Sequence, residues 1–110
     1  MNHYLLPEGP GDSPNRYRYG NIANPALLRE LQAVGCEIKD LQAKIFGGAS
    51  AFAANPITAL GTKNVELAEQ FLCEAEIPLV SRDVWGKHGR KLIFNTGDGT
   101  TEVKSYETGQ

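Results

Sequence analysis

Residues 38–46 contain a run in which Leu41, Ala43 and Ile45 alternate with Gln42 and Lys44, and the segment stops abruptly at the pair Gly47-Gly48. A period of two predicts a β-strand, because successive side chains on a strand point to opposite faces. A glycine pair directly after it predicts a sharp exit, since glycine adopts backbone conformations that other residues avoid. The fold must therefore contain a strand whose carboxyl end turns at once into other structure.

A helix is predicted on the amino-terminal side of this strand, over residues 25–34. Asn24-Pro25 has the chemistry of an N-cap followed by proline at the first helical position, where the missing N–H is not needed. Apolar side chains then recur at helical spacing up to Val34. Gly35 stands where a left-handed C-terminal cap is expected, so the helix should end there.

A second helix is predicted on the carboxyl-terminal side, from Thr62 to about Glu76. Apolar residues recur there every three or four positions, beginning with Val65. We expect residues 51–61 to be irregular, because Pro56 interrupts a regular helix.

Shorter patterns complete the order of elements. An extended segment is predicted at residues 3–6, a Gly- and Pro-rich surface loop at residues 8–15, and strands at residues 77–81, 90–95 and 100–106. The link Thr96-Gly97-Asp98-Gly99 has strong hairpin chemistry. The resulting order, β-α-β-loop-α-β-β-β, predicts a mixed sheet with helices packed against it.

Length and charge limit the classes of function. With 110 residues and 12.0 kDa, the chain suits a single domain over residues 1–110. A net charge of -2 argues against a broad nucleic-acid surface or an anionic-membrane surface. The apolar stretches fall far short of the ~20 residues of a transmembrane helix, and the first residues lack the pattern of a secretory signal. Composition and spacing alone indicate a small cytosolic domain of helices and strands.

The cysteines and histidines form no recognisable metal site. Cys36 and Cys73 lie 37 positions apart without a nearby histidine, which matches no zinc signature. Both cysteines suit small buried or half-buried side chains better than nucleophiles. Neither His3 nor His88 indicates catalysis by itself, because a base must be positioned beside a nucleophile. We expect no cofactor and no metal.

Two loops allow a binding interpretation beside a structural one. The turn Gly47-Gly48-Ala49-Ser50 could present backbone N–H groups to an oxyanion or a phosphate, or it could serve only as a tight strand exit. It is not a P-loop, since no Gly-Lys-Ser/Thr follows at the required spacing.

The second loop is the short basic cluster at residues 86–91. It could contact phosphate or an acidic partner, or it could be an ordinary solvated loop, which is the commoner case. A third interpretation joins the Gly47-Gly48 turn to Arg90 and Lys91 as a small anion site.

Four segments, taken in order, resemble the CheD family of chemotaxis proteins, the chemoreceptor glutamine deamidases. They are MNHYLLPE at residues 1–8, LQAKIFGGA at residues 41–49, LGTKNV at residues 60–65, and GRKLIF at residues 89–94 followed by Thr96-Gly97. Their order and spacing agree with the family from residue 1 to about residue 105. The four motifs together make the resemblance specific.

The resemblance implies a fold and a chemistry. The fold would be α+β, with mixed β-sheets packed with flanking helices, as in the toxin deamidases. The activity would be hydrolysis of receptor glutamine side chains to glutamate with release of ammonia. A cysteine thiolate attacks the amide, a threonine orients a histidine, and that histidine acts as base and then acid. Matched by motif, the histidine is His3, and residues 47–50 are candidates for the substrate or oxyanion loop.

The sequence departs from the family pattern at the nucleophile. In the family, a Gly-Ser-Cys segment and the threonine lie upstream of the strand that carries the histidine, and this chain contains neither. The chain therefore resembles the C-terminal portion of a CheD protein, lacking its N-terminal strands through a late start codon or a true truncation. We expect it to be inactive alone, with an uncovered sheet edge or exposed apolar face.

A different class of function stays open. The chain could be a non-catalytic module that binds chemoreceptors or the CheC phosphatase, which family members also bind. The resemblance implies methyl-accepting chemoreceptors as substrates and a cytoplasmic location, without nucleic acid and without membrane insertion.

Overall fold

Strands and helices form two structural groups in the computed structural model, which describes residues 1–48, 56–85 and 89–106. Over those residues the regular elements are α1 (Gly20–Ala33), β1 (Ala43–Gly47), α2 (Pro56–Glu74), β2 (Leu79–Val84), β3 (Gly89–Phe94) and β4 (Thr101–Tyr106). Two short 3-10 turns, Arg16–Arg18 and Ile38–Asp40, precede α1 and β1. This is an α+β fold, as expected.

The first group is a β-α-β unit made of β1, α2 and β2. The two strands pair in parallel, from Ala43 opposite Leu79 to Gly47 opposite Val84, with one irregularity after Ala43. Parallel neighbours need a long crossover, and α2 provides it. The helix packs on both strands, and α1 packs on α2.

The core of this group is small. Among the described residues, the buried apolar side chains are Ala23 on α1, Val65 on α2, and Ile77 just before β2. Several large apolar side chains are exposed instead: Met1, Leu5, Tyr17, Val34, Val80, Trp85, Ile93 and Phe94. The few buried side chains lie on the two helices and just before β2.

The second group is the antiparallel hairpin of β3 and β4, which confirms the predicted hairpin. Gly89 pairs with Tyr106 at one end and Phe94 with Thr101 at the other. The turn is closed by Asn95, whose N–H donates to the Thr100 carbonyl at 2.9 Å.

Helix α1 begins earlier than predicted. Its first residue is Gly20, so the prediction of an N-cap at Asn24 is wrong and Pro25 lies inside the helix. The N–H of Gly20 donates to the Leu6 carbonyl at 2.8 Å, and the N–H of Asn21 donates to the Pro7 carbonyl at 2.9 Å. These distant carbonyls satisfy amides that a local cap would otherwise serve.

The end of α1 confirms the predicted glycine cap. Gly35 has φ +99°, and its N–H donates to the Gln32 carbonyl at 3.0 Å. The next N–H, of Cys36, donates to the Leu31 carbonyl at 3.0 Å. This pair of bonds is a Schellman motif, which only a residue tolerant of positive φ completes easily.

Helix α2 also begins earlier than predicted. Pro56 is its first residue rather than an obstacle to it. Proline suits the first helical position because its N–H has no intrahelical acceptor there and its φ is already helical. The helix ends at Glu74, close to the predicted end.

Two predicted strand regions are not strands. Residues 3–6 form no ladder in the described structure, and Leu6 makes only an isolated bridge with Tyr19. The N–H groups of Leu5 and Leu6 donate to the Arg18 carbonyl instead. Residues 38–40 form a 3-10 turn closed by the hydrogen bond from the Leu41 N–H to the Ile38 carbonyl. The predicted strand therefore forms only over Ala43–Gly47, where β2 pairs with it.

No helix in the described parts of the chain combines the length and the apolar character needed to cross a membrane.

Candidate functional site

His3 lies on an opening segment that is held on both sides. Before it, the Asn2 side-chain amide donates to Asn24 Oδ1 on α1 at 3.0 Å. After it, Asn64 Nδ2 on α2 donates to the Leu5 carbonyl at 3.0 Å. The backbone that carries the exposed His3 ring is therefore positioned by both helices.

Tyr4, the next residue, strengthens this attachment. Its hydroxyl donates to the Asn64 carbonyl at 2.6 Å. Burial raises the pKa of the Tyr4 phenol, and the side-chain amide of Asn24 opposes that shift. The ring lies so close to Gly20 that a Cβ there would be 2.6 Å from Tyr4 Cε2 and 2.6 Å from Leu67 Cδ2. Glycine at position 20 therefore permits the opening segment to pack against the helices.

An open cleft lies beside the histidine, and we call it the His3 cleft. It is lined by His3, Leu5, Pro14, Asn15, Tyr17 and Arg18. Leu5 and Tyr17 are 60% and 52% exposed, so its walls offer apolar surface to solvent.

The Gly47-Gly48 turn has a clear structural purpose. Both glycines have positive φ, +121° and +68°. A Cβ on Gly48 would lie 2.7 Å from Val65 Cγ2 and 3.0 Å from the Gly61 carbonyl oxygen. Glycine is thus required for the close approach of β1 to α2. The candidate residues Ala49 and Ser50 lie outside the described residues.

The carbonyl of Gly47 is also occupied. It accepts the Trp85 N–H at 2.8 Å and Arg90 Nη1 at 3.3 Å. Arg90 also pairs with Asp83, at 3.3 Å between Nε and Oδ1, and donates to the Trp85 carbonyl. Because the Arg90 side chain is 11% exposed and its guanidinium already bonds protein acceptors, the structure argues against Arg90 as an anion ligand. Lys91 is exposed on β3, and residues 86–88 of the basic cluster lie outside the described part.

Helix α2 connects the two candidate regions. Asn64 holds the opening segment, and its neighbour Val65 meets Gly48. The segment that carries His3 and the residue Gly48 therefore contact adjacent residues of one helix, although neither glycine lines the His3 cleft.

The cysteines lie elsewhere. Cys36 is half-buried after the cap of α1, and Cys73 is exposed near the end of α2. Among the described residues neither lines the His3 cleft, and no cluster of three or more His, Cys, Asp or Glu side chains could hold a metal.

Sequence reasoning missed the polar anchors and the arginines of this site. Asn64 entered only as part of a motif, and its bonds depend on the packing of residues distant in sequence. The alternation Arg16-Tyr17-Arg18-Tyr19 was a visible signal. It indicates two cations beside two aromatic rings in a segment without acids.

Comparisons with known proteins agree with the resemblance. The family model described as CheD chemotactic sensory transduction matches residues 5–105. A protein of Sulfurimonas denitrificans named "Probable chemoreceptor glutamine deamidase CheD" is 41% identical over 106 residues, which cover 94% of this chain and 68% of the relative. Its counterpart in Anaeromyxobacter dehalogenans is 43% identical over 105 residues, covering 94% and 61%.

A third relative, from Clostridium acetobutylicum, is 33% identical over 114 residues and covers 99% of this chain. The curated relatives are longer proteins. The matched regions span from 52% to 69% of their lengths.

Proposed function

This chain belongs to the CheD family, and from that membership we propose that it serves the deamidation of glutamine side chains on chemoreceptors. The observation that carries the proposal is the family match, which extends over residues 5–105. The product would be a receptor glutamate, and the amide nitrogen would leave as ammonia. We place this reaction in the cytoplasm and assign residues 1–110 to a single domain.

His3 is the proposed base and acid of the reaction. A thiolate adds to the amide carbon, the imidazolium gives its proton to the departing ammonia, and water then hydrolyses the thioester. The attachments of Asn2, Tyr4 and Leu5 to the helices support this role, because a proton-transfer group must be held within hydrogen-bond reach of its partner. The exposed ring is accessible to a protein substrate.

The loop at residues 47–50 is the proposed neighbour of the scissile amide. Positive φ at Gly47 and Gly48 turns the backbone sharply at the end of β1, the kind of geometry that presents N–H groups to an oxyanion. Its attachment to α2 next to Asn64 is consistent with a place near the His3 segment.

We further propose that the 110 residues do not catalyse deamidation alone. Cys36 follows the cap of α1, Cys73 lies in the last turn of α2, and neither lines the His3 cleft. Incubation of the chain with receptor cytoplasmic fragments should release no ammonia and should leave the mass of receptor glutamine peptides unchanged. Ammonia release that Cys36→Ala or Cys73→Ala abolishes would show that the nucleophile has been misplaced.

A chimaera provides the positive test. The family's Gly-Ser-Cys segment with its preceding strands is joined to the amino end of this chain, and glutamine-to-glutamate conversion is followed by mass spectrometry. Conversion is expected in the chimaera and should be lost in His3→Gln. A matched control, Asn15→Ala, alters the same cleft without removing an ionisable group. Conversion that survives His3→Gln would contradict the role of His3.

The second candidate function is partner binding without catalysis. The open cleft with exposed Leu5 and Tyr17 favours it, since exposed apolar surface commonly marks an interaction site. Capture of receptor cytoplasmic fragments or of the CheC phosphatase by the 110-residue chain, together with an inactive chimaera, would support this function over deamidation.

A further inference from the structure

The charge of the His3 cleft differs from that of the whole chain. The chain carries a net charge of -2, whereas residues 13–20 contain Arg16 and Arg18 and no acid. Among the described residues no acidic side chain lines the cleft, and His3 and Arg18 are its ionisable groups apart from the Tyr17 phenol. The cleft therefore presents a local positive field on an acidic protein.

Both arginines are free of ion pairs within the described structure. The ion pairs found there join Lys39 to Glu37, Arg82 to Glu69, and Arg90 to Asp83. Arg16 lies over the Tyr17 ring at 4.5 Å, and Arg18 lies over the Tyr19 ring at 5.6 Å. Stacking uses the face of a guanidinium and leaves edge N–H donors to bind a carboxylate.

Arg18 is also positioned relative to the His3 segment through its backbone, and Arg16 lies two residues before it on the same turn. The Arg18 carbonyl accepts the N–H of Leu5 at 2.9 Å and the N–H of Leu6 at 3.1 Å. Arg16 Nη2 donates to the Tyr17 hydroxyl at 3.1 Å. The 3-10 turn that carries the cations is thus bonded directly to the segment that carries the histidine.

A second cleft shows the opposite character. It lies between the opening segment, α1 and α2, and its ionisable lining residues are Glu8 and Glu74. No cation lines it in the described part of the chain. An acidic ligand would be repelled there and attracted to the His3 cleft.

We propose that Arg18, assisted by Arg16, binds a carboxylate beside the target glutamine, so that the His3 cleft selects glutamines with acidic neighbours. Exposed Leu5 and Tyr17 would contact the apolar parts of the same peptide. This inference rests on the proposed function, because it specifies the substrate of the same site.

Binding of synthetic peptides to the 110-residue chain tests the inference without any chemical step. One peptide carries a central glutamine between glutamates, and its partner carries serines in their place. By fluorescence anisotropy at low salt, the acidic peptide should bind about tenfold more tightly. The preference should shrink as salt is added, because exposed charges are screened.

Substitution of the arginines identifies the surface responsible. The double variant Arg16→Gln/Arg18→Gln should lose most of the preference, and Arg16→Lys/Arg18→Lys should keep part of it, since lysine retains the charge without the planar donor edge. The control Arg29→Gln/Lys63→Gln changes net charge equally at exposed positions on α1 and α2 and should keep the preference. Circular dichroism establishes that each variant is folded.

The outcomes separate this inference from the proposed function. Equal affinity for both peptides, or equal loss of preference in the control, overturns the inference. If the arginines govern binding but the chimaera never deamidates the acidic peptide, the recognition surface stands and the proposed function fails. If the chimaera deamidates both peptides equally, the proposed function stands and the inference fails.

Discussion

In the β1–α2–β2 unit, helix and strands meet at van der Waals distance, whereas the β3–β4 hairpin is joined to the same strands by long polar side chains. Within the unit, the missing side chain of Gly48 allows Val65 and the Gly61 backbone of α2 to approach closely. Between the unit and the hairpin, Arg90 donates to the Gly47 and Trp85 carbonyls, and Lys44 Nζ donates to the Gly99 carbonyl at 3.0 Å.

The unit is therefore stabilised mainly by apolar burial, whereas the hairpin is attached mainly by hydrogen bonds. Apolar burial resists local opening because every lost contact exposes surface to water. Exposed hydrogen bonds exchange with water at little net cost. With Ile93 and Phe94 43% and 40% exposed, we expect the hairpin to open independently at a lower free energy than the unit.

The largest effect is expected from Gly48→Ala. The new Cβ would meet Val65 and the Gly61 carbonyl, and alanine disfavours φ +68°. Strain and overpacking together should lower the free energy of unfolding by about 2–4 kcal/mol in urea denaturation. The control Gly47→Ala has positive φ but open space around its Cβ. Equal losses in both variants would show that the contact with α2 adds nothing.

Val65→Ala comes next. Val65 is 3% exposed, so its truncation should cost about 2 kcal/mol through lost burial and a residual cavity. Val34→Ala, at a position 77% exposed, should change stability by less than about 0.5 kcal/mol. In a double-mutant cycle, Val65→Ala should relieve part of the Gly48→Ala clash. Strict additivity of the two losses would contradict their contact.

A smaller and local effect is expected from Arg90→Met. The change removes the bonds to Asp83, Gly47 and Trp85 while keeping much of the side-chain volume. Backbone amides of β3 and β4 should exchange with deuterium about tenfold faster, with little change in β1 and β2. Lys91→Met, at the exposed neighbouring position, serves as control. Uniform acceleration across both groups would mean that the hairpin and the unit open together.

The smallest effect is expected from Asp98→Ala in the hairpin turn. Bonds from the Thr100 N–H and hydroxyl hold the pKa of the Asp98 carboxyl below its usual value, with a lesser contribution from Lys44. A lowered folded pKa stabilises the protein above the unfolded pKa, and this contribution disappears as pH falls through the folded value. The difference in Tm between wild type and variant should therefore vanish in acid. A difference independent of pH would exclude the carboxylate as its source.

Local chemistry could be predicted from the sequence, and non-local contacts could not. The hairpin turn and the Gly35 cap follow from residues adjacent in the chain. The start of α1 does not, because Gly20 depends on the Leu6 and Pro7 carbonyls. Pro56 was misread because proline both begins and breaks helices, and its neighbours alone do not decide which.

The candidate site divides in the same way. His3 was identified from its place in a family motif. The residues next to it in the sequence do not by themselves indicate a functional histidine. The anchors Asn24 and Asn64 hold residues more than twenty positions away, and the cleft beside Arg18 exists only because the opening segment folds back onto a turn. Neither follows from periodicity or composition.

The acceptors of the first amides of α1 belong to Leu6 and Pro7, only a few residues beyond His3. If that segment moved away, the first amides of α1 would lose their hydrogen-bond acceptors, and the surface of Gly20 that contacts the Tyr4 ring would be exposed. Movement of the His3 segment away from the protein is therefore coupled to fraying of the first turn of α1. A partner that binds the histidine and holds this segment in place should, for the same reason, slow amide exchange in the first turn of α1.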